Sequence, residues 1–325
     1  MATIARRRFS DMDELKKRLR GALAFPITPF DADDKLDLAG MKQNVDWLAG
    51  SGVCAVVAPS GTGEFFALSA DEVRLVTQAT VDAVAGRVPV IAGVGVGPRV
   101  AADMAAQAEE VGASAVMVLP PYYAQPDSAG LLAYYERVCS ATTLGVIPYA
   151  RDAALFDPAM VVEMASRCPN MVGFKDGRGD VRLFQRIRET VVDTLGADRL
   201  VWLAGVGDDL VAPYFAAGAE GFTSSLACFW PEISLQLYHL ASQADWVSLR
   251  SLHLRAVRPF YELRAKRRGY EISVMKAALE LLGHRAGLAR PPIPNLTDPD
   301  RQELRSILQE LNVPTAQERG SSAGR

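Results

Sequence analysis

Between residues 21 and 228 the chain alternates between two hydrophobic patterns. Short, almost unbroken apolar runs recur at 21–28, 54–59, 88–93, 115–120, 144–149, 171–175, 200–204 and 221–224. A strand with one wet face alternates apolar and polar residues. A run that is apolar at nearly every position is buried on both faces, as strands of a parallel sheet are. Stretches of helical periodicity separate the runs, and several carry start signals. Asp37 precedes the amphipathic segment 38–48, and Ser69-Ala70-Asp71-Glu72 has the form of a capping box ahead of 73–85. Asp157-Pro158 places a cap residue before a first-turn proline and the segment 159–167. Gly50, Gly52, Gly86, Gly112 and Gly218 stand where helices should stop. Eight β–α units in series predict an α/β fold, a closed (β/α)8 TIM barrel, with an open doubly wound sheet as the alternative.

Outside that region the strand pattern disappears. Residues 1–20 read as an N-terminal arm with a short polar helix over 10–20, and 21–230 as the barrel core. Helical periodicity returns at 231–242, 246–265, 272–282 and 299–311. Some of these helices should close the barrel, and the others should form an added C-terminal helical segment reaching residue 313. The run Gly320-Ser321-Ser322-Ala323-Gly324 makes 314–325 an expected disordered tail.

Composition narrows the function classes. Hydrophobic residues make up 49% of the 325-residue chain and charged residues 22%, as in an ordinary globular protein with a large core. The net charge is −3, from 35 basic and 38 acidic residues, so no nucleic-acid footprint is expected; Arg6-Arg7-Arg8 is too short to make one. No apolar stretch follows these arginines and no run of about 18 apolar residues occurs, so neither a secretory leader nor a membrane span is expected. Cys54, Cys139, Cys168 and Cys228 are too dispersed for a metal motif and read as reduced thiols of a cytoplasmic protein. His239, His253 and His284 have no metal-ligand spacing, so neither a zinc site nor a Ser-His-Asp triad is expected.

Active sites of such barrels lie at the carboxyl ends of the strands. Lys175 ends the sixth run, in Gly173-Phe174-Lys175-Asp176-Gly177. Placed inward near the rim, it would be desolvated, and a neutral amine there is a nucleophile toward ketones. Pairing with Asp176 or extension to water are the alternatives. Tyr149 ends the fifth run, next to the sixth in a barrel, and is either a proton relay to Lys175 or an aromatic plug. Ser60-Gly61-Thr62-Gly63-Glu64 follows the second run; its glycines let amides converge on a carboxylate, or it is an ordinary turn. Pro120-Pro121-Tyr122-Tyr123 puts two aromatics on a loop, for packing or for a partner subunit. Thr223-Ser224-Ser225 offers hydroxyls at the rim, or caps the next helix.

Together these residues resemble the dihydrodipicolinate synthase/N-acetylneuraminate lyase family of class I Schiff-base lyases. The resemblance runs from Phe25-Pro26-Ile27-Thr28-Pro29-Phe30 through Gly61-Thr62-Gly63-Glu64, Pro121-Tyr122-Tyr123, Tyr149 and Gly173-Phe174-Lys175-Asp176 to the C-terminal helices. Within the family, Gly61-Thr62-Gly63-Glu64-Phe65-Phe66, Arg151-Asp152, Ser224-Ser225 and Gly269-Tyr270-Glu271-Ile272-Ser273 are most similar to the 5-dehydro-4-deoxyglucarate dehydratase branch. The synthase proper differs. Ala154 stands where it carries an arginine, and Gly61 where it carries the first of two paired threonines. Ala150 replaces the asparagine usual after the tyrosine, and Cys228 lies near the place of another.

The resemblance implies Lys175 as the imine-forming nucleophile and Tyr149 as proton shuttle. It implies Ser60, Gly61, Thr62 and Gly63 as the cradle of the nearer carboxylate, and Arg151 and Ser224 as contacts of the distal one. Tyr123 would serve at a subunit contact and in proton relay. The implied partner is a small 2-keto acid, the implied assembly a homotetramer built as a dimer of dimers. No cofactor or metal is implied, because the imine is itself the electron sink. The alternatives are an aldolase using pyruvate or another 2-keto acid through the same imine, and a non-catalytic barrel that binds an acidic metabolite.

Overall fold

The structure, a computed structural model, describes residues 11–322; Arg6-Arg7-Arg8 and the last three residues of the expected tail lie outside them. Eight parallel strands follow one another around a closed barrel: β1 (Ala22–Ala24), β2 (Ala55–Val57), β3 (Val90–Val96), β4 (Ala115–Pro121), β5 (Gly145–Ala150), β6 (Gly173–Asp176), β7 (Val201–Ala204) and β8 (Gly221–Ser224), the last pairing with the first. The unbroken apolar runs are explained by two different burials. Leu23, Val57, Ile91, Met117, Ile147 and Leu203 fill the barrel interior. Their neighbours Ala24 and Val56 point outward under the helices.

Helices α2 (Leu38–Gly50), α3 (Ala70–Val84), α4 (Pro98–Val111), α5 (Ser128–Cys139), α6 (Pro158–Arg167), α7 (Val181–Leu195) and α8 (Val211–Ala216) follow the first seven strands. The caps sit where their chemistry places them: Asp37 accepts the Gly40 amide, Ser69 and Glu72 close a reciprocal capping box, and Asp157 caps ahead of Pro158. Helix α9 (Pro231–Ser242) packs against β1 and β8 and completes the outer ring, so the barrel extends beyond residue 230. At the other end of the barrel, α1 (Met12–Arg18) inserts Leu15, with Leu19 just after it, against Leu23, Val172 and Val201. This plugs the amino-terminal mouth and leaves the carboxyl-terminal one for chemistry.

Two expectations change. The single helix expected over 246–265 is α10 (Trp246–Leu252), a π-helical turn (His253–Val257) and α11 (Arg258–Ala265). Pro259 has no amide hydrogen and its ring clashes with the preceding turn, which widens there. The second change is the tail. After α12 (Tyr270–Leu281) and α13 (Asp298–Glu310), the segment expected to be disordered forms α14 (Ala316–Ser322). Arg319 anchors it, lying 4.5 Å from the Trp47 ring centroid and donating to the Phe229 carbonyl at 3.1 Å. Composition alone did not reveal that anchor.

The C-terminal segment is tied to the barrel by one buried ion pair. Glu64, in the loop after β2 with φ 57, meets Lys276 of α12 at 2.7 Å, and both are buried. The Arg290 amide donates to the same carboxylate at 2.8 Å, and the Lys276 ammonium lies 4.1 Å from the Phe30 ring centroid and donates to the Leu288 carbonyl. Burial pulls the Lys276 ammonium below its ordinary range, and Glu64 opposes that pull. We expect Lys276→Met, which strands a buried carboxylate, to lower stability by about 3–5 kcal/mol, read as a drop in the urea midpoint. The double variant Lys276→Met/Glu64→Gln should recover part of that loss.

Candidate active site

Lys175 and Tyr149 are register partners on neighbouring strands, and both side chains point into the barrel at its carboxyl-terminal mouth. Lys175 is 3% exposed. Its amine lies 3.7 Å from the Tyr149 ring centroid and 4.5 Å from that of Phe25, which follows β1. No described carboxylate forms an ion pair with it. Asp176 cannot, because consecutive strand residues face opposite sides. Its carboxylate points outward to the Tyr214 hydroxyl at 2.7 Å and the Arg178 amide at 2.8 Å. Burial among aromatic faces therefore drives the Lys175 amine far below its ordinary value, and the Arg151 guanidinium pushes the same way.

The Tyr149 phenol is held protonated by burial, with Arg151 acting in the opposite sense. Arg151 donates to the phenol oxygen at 3.1 Å, so the hydroxyl is oriented by a cation while its ring lies against the amine. Two glycines make the pair possible. A Cβ on Gly177 would lie 2.4 Å from Tyr149 Cε2. A Cβ on Gly205, the residue after β7, would lie 2.7 Å from Lys175 Cε and 2.6 Å from the Asp176 carbonyl oxygen. Any side chain at 205 would displace the lysine.

The turn over 60–63 follows β2 and is tied to the segment after β1 by Thr28, whose hydroxyl donates to the Gly63 carbonyl at 2.6 Å. The Ser60 hydroxyl is buried with no hydrogen-bond partner among the described residues. The amides of Gly61, Thr62 and Gly63 donate to no described acceptor. Unused donors on an inward-facing turn suit a carboxylate.

Other expected site residues are placed differently. Ser224 turns its side chain away from the barrel axis and is fully buried, hydrogen-bonded to Asp208 and Ser234. The structure does not bring it to Lys175. Tyr123 is 92% exposed with φ 64, in contrast to the buried lysine, and Tyr122, Phe66 and Val96, the last residue of β3, are exposed as well. Phe25, Thr28 and Gly205 are site residues that sequence reasoning did not single out. Phe25 and Thr28 stood inside a quoted motif, but Gly205 carried no signal, since its importance is the space it leaves for a side chain 30 residues earlier.

A (β/α)8 barrel with a lysine buried at its mouth, its charged form disfavoured, is the arrangement of the Schiff-base lyases. Residues 18–311 match the Dihydrodipicolinate synthetase family, and the chain belongs to that family. Among its relatives, a protein of Bradyrhizobium diazoefficiens named "Probable 5-dehydro-4-deoxyglucarate dehydratase" is 37% identical over 293 residues, covering 90% of this chain and 92% of that protein. One of the same name from Rhizobium rhizogenes is 38% identical over 299 residues, 91% of this chain and 97% of that one. Among solved structures, dihydrodipicolinate synthase from Oceanobacillus iheyensis superimposes with a TM-score of 0.87 at 30% identity, covering 93% of this chain and 99% of that one. A family member from E. coli, solved in complex with pyruvate, superimposes with a TM-score of 0.82 at 27% identity, over 90% of this chain and 99% of that one.

The burial of this amine carries a signature in stability. In the unfolded chain a lysine keeps its proton up to its ordinary value of 10.5, whereas folded Lys175 has lost it well below that. Folding releases a proton between those limits, so this site's contribution to stability falls as pH drops through that window. Lys175→Met should therefore melt higher than the parent protein near neutral pH, with the gap closing as pH rises through 10.5. Thermal unfolding of both proteins across that range checks the sign.

Proposed function

We propose that this enzyme dehydrates and decarboxylates 5-dehydro-4-deoxyglucarate to 2,5-dioxopentanoate through an imine on Lys175. The observation that carries the chemistry is the buried Lys175 amine without a counter-ion, against the Tyr149 ring. The substrate follows from the relatives' names and their identity over most of both chains.

The Lys175 nitrogen attacks the keto carbon, and loss of water leaves an iminium. Tyr149 relays the protons of that step under the guidance of Arg151. The amides of Gly61, Thr62 and Gly63, with the Ser60 hydroxyl, hold the carboxylate beside the iminium. The iminium withdraws electrons from the adjacent methylene, a proton leaves, and the enamine expels the β-hydroxyl as water. The conjugated iminium that results accepts the electron pair freed when the far carboxylate departs as carbon dioxide. Reprotonation and hydrolysis return the amine and release a keto aldehyde. The electron pairs all move within the imine-linked substrate, so the steps require no cofactor.

Incubation with 5-dehydro-4-deoxyglucarate should yield 2,5-dioxopentanoate and one carbon dioxide per turnover. Lys175→Ala should lower turnover by at least about a thousandfold, and Tyr149→Phe by about 10²–10⁴-fold. Turnover that survives in Lys175→Ala sinks the imine mechanism, and pyruvate among the products would mark carbon–carbon cleavage instead.

The exposed aromatics support a reading of the assembly. Tyr122 and Tyr123 after β4 and Val96 at the end of β3 are exposed together, with Phe66 exposed after β2, and we read these apolar side chains as the contact between two copies, with Tyr123 serving the partner's proton relay. A homotetramer built from two such pairs, in the cytoplasm where its four free cysteines stay reduced, completes the reading. Tyr123→Arg should shift sedimentation toward the smaller species and lower turnover.

A further inference from the structure

We propose that Arg264, on the added helix α11, is the residue that selects a diacid, by receiving the carboxylate at the end of the substrate farthest from Lys175. The inference rests on the imine reading and names the element of specificity that reading lacks now that Ser224 faces away.

Arg264 is linked to the surroundings of the lysine by a chain of contacts through the loops after β7 and β8. Gly205 leaves the space that Lys175 occupies. Two residues on, Gly207 has φ 129, and a Cβ there would lie 2.3 Å from the Tyr261 hydroxyl oxygen. Tyr261 can therefore close on this loop, accepting the Asp208 amide at 2.7 Å and donating to Asp208 Oδ2 at 3.3 Å. The Arg264 guanidinium stacks on the Tyr261 ring, 4.3 Å from its centroid, and donates from Nη1 to Ser225 Oγ at 3.0 Å. Ser225 stands directly after β8, and the Phe25 amide donates to the Ser224 carbonyl at 3.1 Å. Phe25 is one of the two rings against the Lys175 amine, so a continuous set of contacts links the lysine to the arginine.

Asp208 and Asp209 act on the guanidinium through space, and it keeps donors that neither of them takes up. It is half-buried, and none of the described carboxylates forms an ion pair with it; Asp208 spends its oxygens on Ser224, Tyr261 and the amides of Ser225 and Leu226. Its Nε and Nη2 donate to no described acceptor. Stacking on Tyr261 fixes the plane of the fork, so less freedom is lost when a carboxylate docks. Arg151 also reaches the mouth, but its Nη1 is on the Tyr149 phenol. In a six-carbon 2-keto diacid the keto carbon and the far carboxyl carbon are separated by roughly 5 Å when extended. Inward positions two residues apart on a strand rise by about 6–7 Å, so an acid fixed at Lys175 extends toward the level of Ser225 and Arg264. A cation on this carboxylate stabilises the bound acid more than the carbon dioxide it becomes. The contact therefore sets affinity for diacids and does not accelerate the loss of carbon dioxide.

Borohydride trapping of the Lys175 imine, followed by mass, separates the arginine from the lysine. The probes are 2-oxoadipate, which has the far carboxylate and no hydroxyl to eliminate, and pyruvate, which lacks the far carboxylate. Arg264→Gln should raise the half-saturating 2-oxoadipate concentration about 10- to 100-fold and leave that of pyruvate within about twofold. With the dehydratase substrate, the same variant should raise KM far more than it lowers kcat. Unchanged 2-oxoadipate trapping, or an equal shift for both acids, overturns the assignment, and unaltered pyruvate trapping shows that the variant is folded. If the parent protein traps neither acid, the imine reading fails, and calorimetric binding of the same two acids still decides the arginine: a 2-oxoadipate affinity equal in parent and variant refutes it.

Discussion

An amine buried without a counter-ion is the constraint on which the site depends. Water would keep Lys175 charged, and a neighbouring carboxylate would do the same. The fold denies it both by enclosing it between the rings of Phe25 and Tyr149 and by turning Asp176 to the other side of the strand. Much else follows from that enclosure. Gly205 must be bare for the side chain to lie where it does, and Gly177 must be bare for the tyrosine ring to lie over it. The barrel accepts an unfavourable group at its mouth, as reactive sites commonly do.

Charge is sorted around that amine in layers. The buried acids beside the site, Asp176 and Asp208, face the helices, where hydroxyls and amides satisfy them and burial raises both above the usual carboxylate range. The cations Arg151 and Arg264 lie toward the mouth, one on the phenol of Tyr149 and the other on Ser225. Positive charge therefore lies on the side away from the buried acids, and burial disfavours the charged form of the lysine between them. The ion pair of Glu64 with Lys276 has a separate task, holding the loop after β2 against the C-terminal helices, so the amide-lined turn that precedes Glu64 is braced from behind.

Some errors in reading the sequence share one cause. Ser224 and Ser225 are both polar residues at a strand end, and pattern alone cannot say which of them faces inward. The register of β8 with β1 decides it, turning Ser224 to Asp208 and leaving Ser225 to meet Arg264. The expected disorder of the tail was a reading of composition, and over 316–322 a helix forms instead, where Arg319 meets the Trp47 ring on α2. The break within 246–265 was visible as Pro259, but its outcome, a π-turn inside a continuing helix, depends on the packing around it.

By itself the sequence determined the eight-strand barrel, its helix caps, and the strand-end positions of Lys175, Tyr149 and the turn at 60–63. These rest on local periodicity and on capping chemistry within a few residues, which a linear reading can follow. Only the tertiary structure decided that the lysine is buried without a counter-ion, that Gly205 makes room for it, and that an arginine 89 positions beyond it in the chain meets Ser225 at the end of β8. Desolvation, exclusion of a Cβ and the meeting of distant side chains depend on what surrounds an atom in space, and only closure of the barrel brings those surroundings together.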